Sequence, residues 1–139
     1  MNDPLYLRLC PEEDKCFVCQ TTAKGNCKST SINYEVLCDH TECEFIYHGQ
    51  SSKNGYTRGN EHFDDLIHKR DKSTMWKHCC DKHQRRTQKF KMKVAGTIRN
   101  DPTKRQITEA IHINNTDPLK LMNERTEWNY VKLPRVQIA

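Results

Sequence analysis

No stretch of this 139-residue chain approaches the roughly 18 consecutive apolar residues that a membrane-spanning helix needs. The first ten residues, MNDPLYLRLC, hold no apolar run behind basic residues, so no secretory leader is expected. There is no internal repeat and no low-complexity tract, which argues against a repeat array. Apolar residues are scarce, at 35%. The length fits one domain with a small appendage, and so polar a chain gains from metal staples. Acidic residues are nearly missing from one long segment. Residues 69–105 carry thirteen Lys and Arg against three Asp, a local +10 within a net charge of +5, which leaves about −5 for the rest. A basic middle points to a polyanionic partner, most simply nucleic acid; a solvated face is the plain alternative.

What the chain holds in excess is metal-ligating side chains, eight Cys and seven His. Without a leader the expected compartment is a reducing one, where Cys/His clusters read as zinc sites before disulfides. Cys10, Cys16, Cys19 and Cys27 provide C-x5-C-x2-C-x7-C. Cys16 and Cys19 form the tight knuckle that grips one tetrahedral ion, and the surrounding Thr, Lys, Gly and Ser give the segment little to bury without it. A second set, Cys38-x4-Cys43 with His78-x4-His83, reads as a site of two thiolates and two imidazoles. It would clip a hairpin link to a helix. Cys79 and Cys80 are rivals for those positions, but they point elsewhere on a helix if His78 and His83 face inward.

The remaining pattern mixes strands and helices. Residues 32–37 and 44–49 read as a hairpin, and Asn54-Gly55 as a turn. From Thr57 to about Arg70 the pattern is helical, with Phe63, Leu66 and Ile67 as its apolar stripe. Arg58 and His62, four apart, share a face. A short helix is expected over residues 73–83 with Ser73 as N-cap. QKFKMKV alternates strictly: Phe90, Met92 and Val94 take one face, Lys89, Lys91 and Lys93 the other. Then Asp101 caps a helix that begins at Pro102 and buries Ile107, Ala110 and Ile111, with Arg105 and Glu109 four apart. Trp128 and Leu133 are expected to pin the tail to the core.

These residues resemble the GIY-YIG endonucleases, most closely the C-terminal endonuclease domain of Penelope-like retroelements. The signature strands look like Ile32-Asn33-Tyr34 and Tyr47-His48-Gly49; Arg58, His62, Glu109 and Asn123 follow in the family's order, and Cys38, Cys43, His78 and His83 match the Penelope-type cysteines and histidines. The likeness covers roughly residues 31–130. Two departures stand out: the first motif lacks its glycine, and His48 sits at the usual isoleucine.

The four-cysteine spacing gives residues 1–30 as a zinc knuckle, and for residues 31–139 the resemblance implies an α+β fold, a small antiparallel sheet flanked by helices. It implies a nuclear, metal-dependent DNA endonuclease that nicks target DNA for retroelement insertion. Zinc would serve at two structural sites and Mg²⁺ or Mn²⁺ at Glu109. No polymerase fits in the chain, so the natural partner besides DNA would be a reverse transcriptase domain of a larger parent. Tyr34 or Tyr47 would take the water's proton, and with an ordinary phenol pKa of about 10 it would need lowering by Arg58 or a metal. Arg58 would also grip the phosphate. His62 would position the water or a tyrosine, and Asn123 would support the glutamate or phosphate. Lys89, Lys91, Lys93, Arg85 and Arg86 would bind the nucleic-acid backbone. Duller roles exist for each: a core tyrosine, a structural histidine, a turn-capping asparagine, an exposed Arg105–Glu109 pair. A silent zinc-dependent nucleic-acid-binding module is the main alternative function. A zinc-stabilised protein-interaction domain explains the cysteines but leaves the basic segment idle.

Overall fold

The Ile, Val and Tyr residues of β1, Ile32–Cys38, alternate with less buried ones, and this strand is the centre of the molecule. In the computed structural model, which describes residues 16–21, 26–40 and 42–123, β1 pairs antiparallel on one side with β2, Ile46–Ser51, and on the other with β3, Phe90–Thr97. The sheet order is β2-β1-β3. The β1–β3 register slips between Asn33 and Tyr34, whose partners are Gly96 and Val94, so Ala95 forms a bulge. Four helices join the sheet: α1, Phe17–Thr21; α2, Gly55–Ile67; α3, Thr74–Lys82; and α4, Pro102–Asn114.

Directly paired residues share a sheet face. Ile32, Tyr34, Val36 and Cys38 therefore stand with Tyr47, Gly49, Phe90 and Met92 on one face. That face carries the core, which α1, Leu66 of α2, and Met75 and Trp76 of α3 complete. The opposite face holds Asn33, His48 and Gln50, which bond to α4 and the turn after it, and Lys91 and Lys93.

Three helix starts rest on side-chain caps. Ser73 accepts from the Trp76 N–H and Asp101 from the Lys104 N–H, as their positions predict. Asn54 does more than turn the chain: it accepts from the Thr57 N–H at 2.8 Å, so α2 starts at Gly55 and ends at Ile67, ahead of Arg70. The expected α2 stripe is also corrected. Leu66 is buried, but Phe63 and Ile67 are 44% and 48% exposed. The side turned inward is Gly55, Gly59, His62 and Leu66. A Cβ at Gly59 would stand 3.1 Å from Met92 Sδ and 3.2 Å from Val18 Cγ2, so the missing side chain is what lets α1 and β3 close on α2. Phe63 stacks instead on Phe17 of α1, with ring centroids 5.6 Å apart.

In α4 the buried residues are Arg105, Ala110 and Ile113, with Ile107 and Ile111 only half-buried. After α4 the chain returns to β2. The Met122 N–H donates to the Ile46 carbonyl at 2.7 Å, and Leu121 bridges Ile46, which covers an otherwise open strand edge. Trp128 and Leu133 lie outside the described residues.

Candidate active site and metal centres

Tyr34 projects from β1 toward α2. Its ring lies against Gly49 on the paired strand, where a Cβ would fall 2.4 Å from Tyr34 Cζ. Only glycine leaves room for the ring there. The phenolic oxygen lies 2.7 Å from His62 Nε2 and accepts from Arg58 Nε at 3.1 Å. Arg58 can only donate, so the Tyr34 hydroxyl is free to donate its own proton to His62 Nε2. That assignment needs a neutral imidazole. Burial, and then the Arg58 charge, hold His62 down to about 3, which keeps it neutral. Tyr47 on β2 completes the group, its ring 6.4 Å from Tyr34 and 5.7 Å from His62 between centroids. Four sequence-predicted residues from three elements thus meet in one place.

One expectation is reversed here. Arg58 was expected to bring a tyrosine's pKa down, and it does pull Tyr34 that way. Burial wins: Tyr34 is 1% exposed and is pushed up to about 12, with Glu109 and Glu61 adding to the rise. In this state Tyr34 is a phenol, not a phenolate.

Beside the cluster, at the end of β2, opens a cleft of about 380 Å³. Lys53 and Arg58 and Glu61 of α2 form one wall; Arg105 and Gln106 of α4 form the other. Glu61 bridges the first wall's cations, 2.6 Å from Lys53 Nζ and 3.3 Å from Arg58 Nη1. Lys53, then Arg58, hold its carboxyl below the usual range. Pro102, Gln106 and Glu109 follow one another at helical spacings of four and three, so Glu109 continues the side of α4 that lines the cleft.

The second predicted metal set converges. One ligand atom each from Cys38, Cys43, His78 and His83 lies within 4.8 Å of the others. Cys38 Sγ is 3.4 Å from His83 Nε2, Cys43 Sγ is 3.3 Å from His78 Nε2, and the two Nε2 atoms are 3.2 Å apart. Tetrahedral zinc, with bonds of about 2.3 Å to sulfur and 2.0–2.1 Å to nitrogen, sets such edges at about 3.5 Å and 3.3 Å. Burial, then His83, keep His78 down to about 4, hence in the neutral, ligating form. Burial also pushes the Cys38 thiol up to about 12, so its thiolate needs a cation beside it. This group could hold a metal ion. Cys79 is buried in the core outside this group, as its place on the helix predicts.

Three of the four N-terminal cysteines come together. Cys16, Cys19 and Cys27 are buried, with their sulfurs within 4.8 Å of one another, and could also hold a metal. Cys10, the expected fourth ligand, lies outside the described residues. Phe17 and Val18 belong to the same core as the sheet, so packing crosses the sequence boundary at residue 30.

Other predicted residues sit elsewhere than expected. The Asn123 carboxamide is committed to the backbone of His48, accepting from its N–H and donating to its carbonyl, both at 2.8 Å. It pins the returning chain to β2. Arg105 is buried and donates to Gln50 Oε1 and the Ile98 carbonyl, so the exposed pairing with Glu109 does not form. His48, at the unusual motif position, bonds through Nε2 to Thr116 Oγ1 at 2.7 Å. The Thr116 hydroxyl already donates to the His112 carbonyl, so His48 is the donor. Lys91 and Lys93 share a face with Glu35 and Leu37, opposite the Tyr34 face. Lys91 lies 3.7 Å from Asp39, and Arg85 lies over the Trp76 ring. Sequence reasoning missed Lys53, Glu61 and the cleft role of Arg105. The i, i+3 spacing of Arg58 and Glu61 was the available signal.

No family model matches the chain, and no curated protein or solved structure matches it either.

Proposed function

We propose that this protein is a metal-dependent DNA endonuclease of the GIY-YIG type. The observation that carries the reading is the meeting of Tyr34, Tyr47, Arg58 and His62 beside a cleft walled by cations. A silent binding module needs the cations but has no use for a buried phenol wired to a neutral histidine.

The chemistry requires a gripped phosphate, an activated water and a charge sink. Arg58 spends Nε on Tyr34 and one Nη1 hydrogen bond on Glu61, which leaves Nη2 for a phosphate oxygen. Its bond to Tyr34 ties phosphate position to phenol position. Tyr34 need not ionise at rest, because its proton has a defined acceptor in His62 Nε2. A phosphate anion nearby would raise Tyr34 further, so added positive charge is needed to bring it down. Glu109 is the carboxylate suited to hold a hard divalent cation, which favours one carboxylate plus water and phosphate oxygens and supplies that charge when bound. The metal-capable Cys/His groups are proposed as zinc sites that staple the scaffold.

The test is nicking of supercoiled plasmid with Mg²⁺ or Mn²⁺. Parent protein should nick, while Glu109→Gln and Arg58→Ala should fall by about 10²–10³, the usual loss for one electrostatic group. Nicking by both variants at the parent rate, with contaminating nuclease excluded, would remove Glu109 and Arg58 from the chemistry and sink this mechanism, and a parent protein that binds DNA without nicking it would favour the binding module.

A further inference from the structure

Arg105 is a buried cation, only 6% exposed, with no carboxylate at ion-pair distance among the described residues. Its bonds go to neutral acceptors: Nε to Gln50 Oε1 at 3.3 Å and Nη1 to the Ile98 carbonyl at 3.2 Å. A guanidinium carries five N–H donors, so three are left. A charge removed from water without an opposite charge is costly, and proteins rarely keep one without a purpose. The position is built rather than incidental. Asn33, itself buried, donates to the Arg105 carbonyl at 3.1 Å and fixes the backbone from β1. The other atom of that carboxamide, Asn33 Oδ1, is buried without a partner, so the sheet gives up a hydrogen bond here.

Arg105 stands on the wall of the cleft across from Arg58 and Lys53. The single Glu61 carboxylate is shared between those two, at 3.3 Å and 2.6 Å, and among the described residues Arg105 has no carboxylate of its own. An anion entering the cleft would find one guanidinium held by an internal carboxylate and another with none.

We propose that Arg105 is a second anion-binding residue of the cleft, taking phosphate oxygens of a nucleic-acid strand whose neighbouring phosphate lies at Arg58. This rests on the nuclease reading above and adds a contact to it. Arginine suits the task because its planar fork meets two oxygens at once. Glu61 then sets the two arginines apart: the Arg105 phosphate meets a cation with no carboxylate on it among the described residues, while the Arg58 phosphate meets one that already shares Nη1 with Glu61 and offers Nη2.

The experiment uses the full chain with its bound metal and no added Mg²⁺ or Mn²⁺. The arginine Nε–Hε signals are followed by nuclear magnetic resonance during titration with inorganic phosphate and, separately, with a DNA duplex. Arg105→Lys identifies the signal. In parallel, duplex affinity is measured across a salt series for the parent and Arg105→Gln. The Arg105 signal should move with the duplex, and Arg105→Gln should make the slope of log affinity against log salt shallower by about 0.9, one phosphate contact. A stationary signal, or an unchanged slope in a folded variant, overturns the proposal. A signal that responds to inorganic phosphate alone also overturns the nucleic-acid assignment. Should Arg105→Gln fail to fold, the parent titration decides by itself. Nicking that persists while Arg105 stays silent removes this assignment only. A responding Arg105 without nicking keeps it and removes the nuclease reading.

Discussion

Gly49 shows how a single side chain, or its lack, organises the site. Tyr34 was legible as a motif residue, but its contact with Gly49 was not, because pairing across two strands depends on register. With 2.4 Å between a new Cβ and the Tyr34 ring, Gly49→Ala must displace that ring. The expected loss is about 1–3 kcal/mol of stability, the usual range for overpacking, together with most of the nicking activity. Gly96→Ala, where a Cβ meets nothing within 4 Å, is the control and should melt with the parent. Equal melting temperatures for both variants would contradict the packing.

His62 gives a second prediction at this scale. Its folded pKa, about 3, is below the ordinary 6.5. The unfolded chain therefore binds the proton first, and acid favours unfolding. This stability is fully present above pH 6.5 and is lost as pH falls toward 3, with a loss on the order of 2 kcal/mol between pH 7 and pH 5. His62→Gln removes the titration, so its stability should fall less over that interval by the same amount, as denaturant midpoints would report. Identical pH profiles would mean that His62 is solvated in solution. The direction of the Tyr34 shift was misread from sequence for a related reason: Arg58 was visible as a charge, whereas the burial that outweighs it was not.

Among the elements, the metal clip was the most legible. Cys-x4-Cys and His-x4-His are local spacings that constrain chemistry whatever the fold, and their ligand atoms do converge. The inward side of α2 was less so. Hydrophobic periodicity favoured Phe63 and Ile67, but Gly59 and His62 face inward because the sheet and α1 need close approach there and Tyr34 needs a hydrogen-bond partner. The clip joins the hairpin link to α3. A structural zinc contributes roughly 10–16 kcal/mol in small metal-dependent folds, as much as the whole stability of an ordinary domain. His78→Ala should therefore lower the zinc content by about one ion per chain and remove the cooperative melting transition. Elemental analysis and calorimetry read these two outcomes. Unchanged zinc in His78→Ala would break the assignment of the clip.

At the scale of the molecule, charge was legible but its geometry was not. The alternation of β3 correctly separated Phe90 and Met92 from Lys91 and Lys93, yet which face holds the site depends on the pairing of β3 with β1. That pairing puts the lysines opposite Tyr34, while the cations at the cleft, Lys53, Arg58 and Arg105, come from a loop and two helices. Arg58 reaches the cleft from the Tyr34 face and Arg105 reaches it from α4, on the lysines' face, yet none of the β3 lysines lines it, and the two basic surfaces divide the work proposed for them. The β3 lysines would add affinity through the nucleic-acid backbone, and the cleft would act on the bond that breaks. Changing Lys89, Lys91 and Lys93 together to Gln should then flatten the salt dependence of DNA binding. Three full phosphate contacts would remove about 2.7 from the slope, and less is expected because Lys91 is partly engaged by Asp39 at 3.7 Å. The cleavage rate at saturating DNA should stay at the parent value, since none of the three lines the cleft. Lys53→Gln should behave in the opposite way, slowing cleavage of bound DNA with a smaller change in slope. A triple variant that loses cleavage even when saturated would show that the scissile strand runs over β3, and the cleft would lose its role.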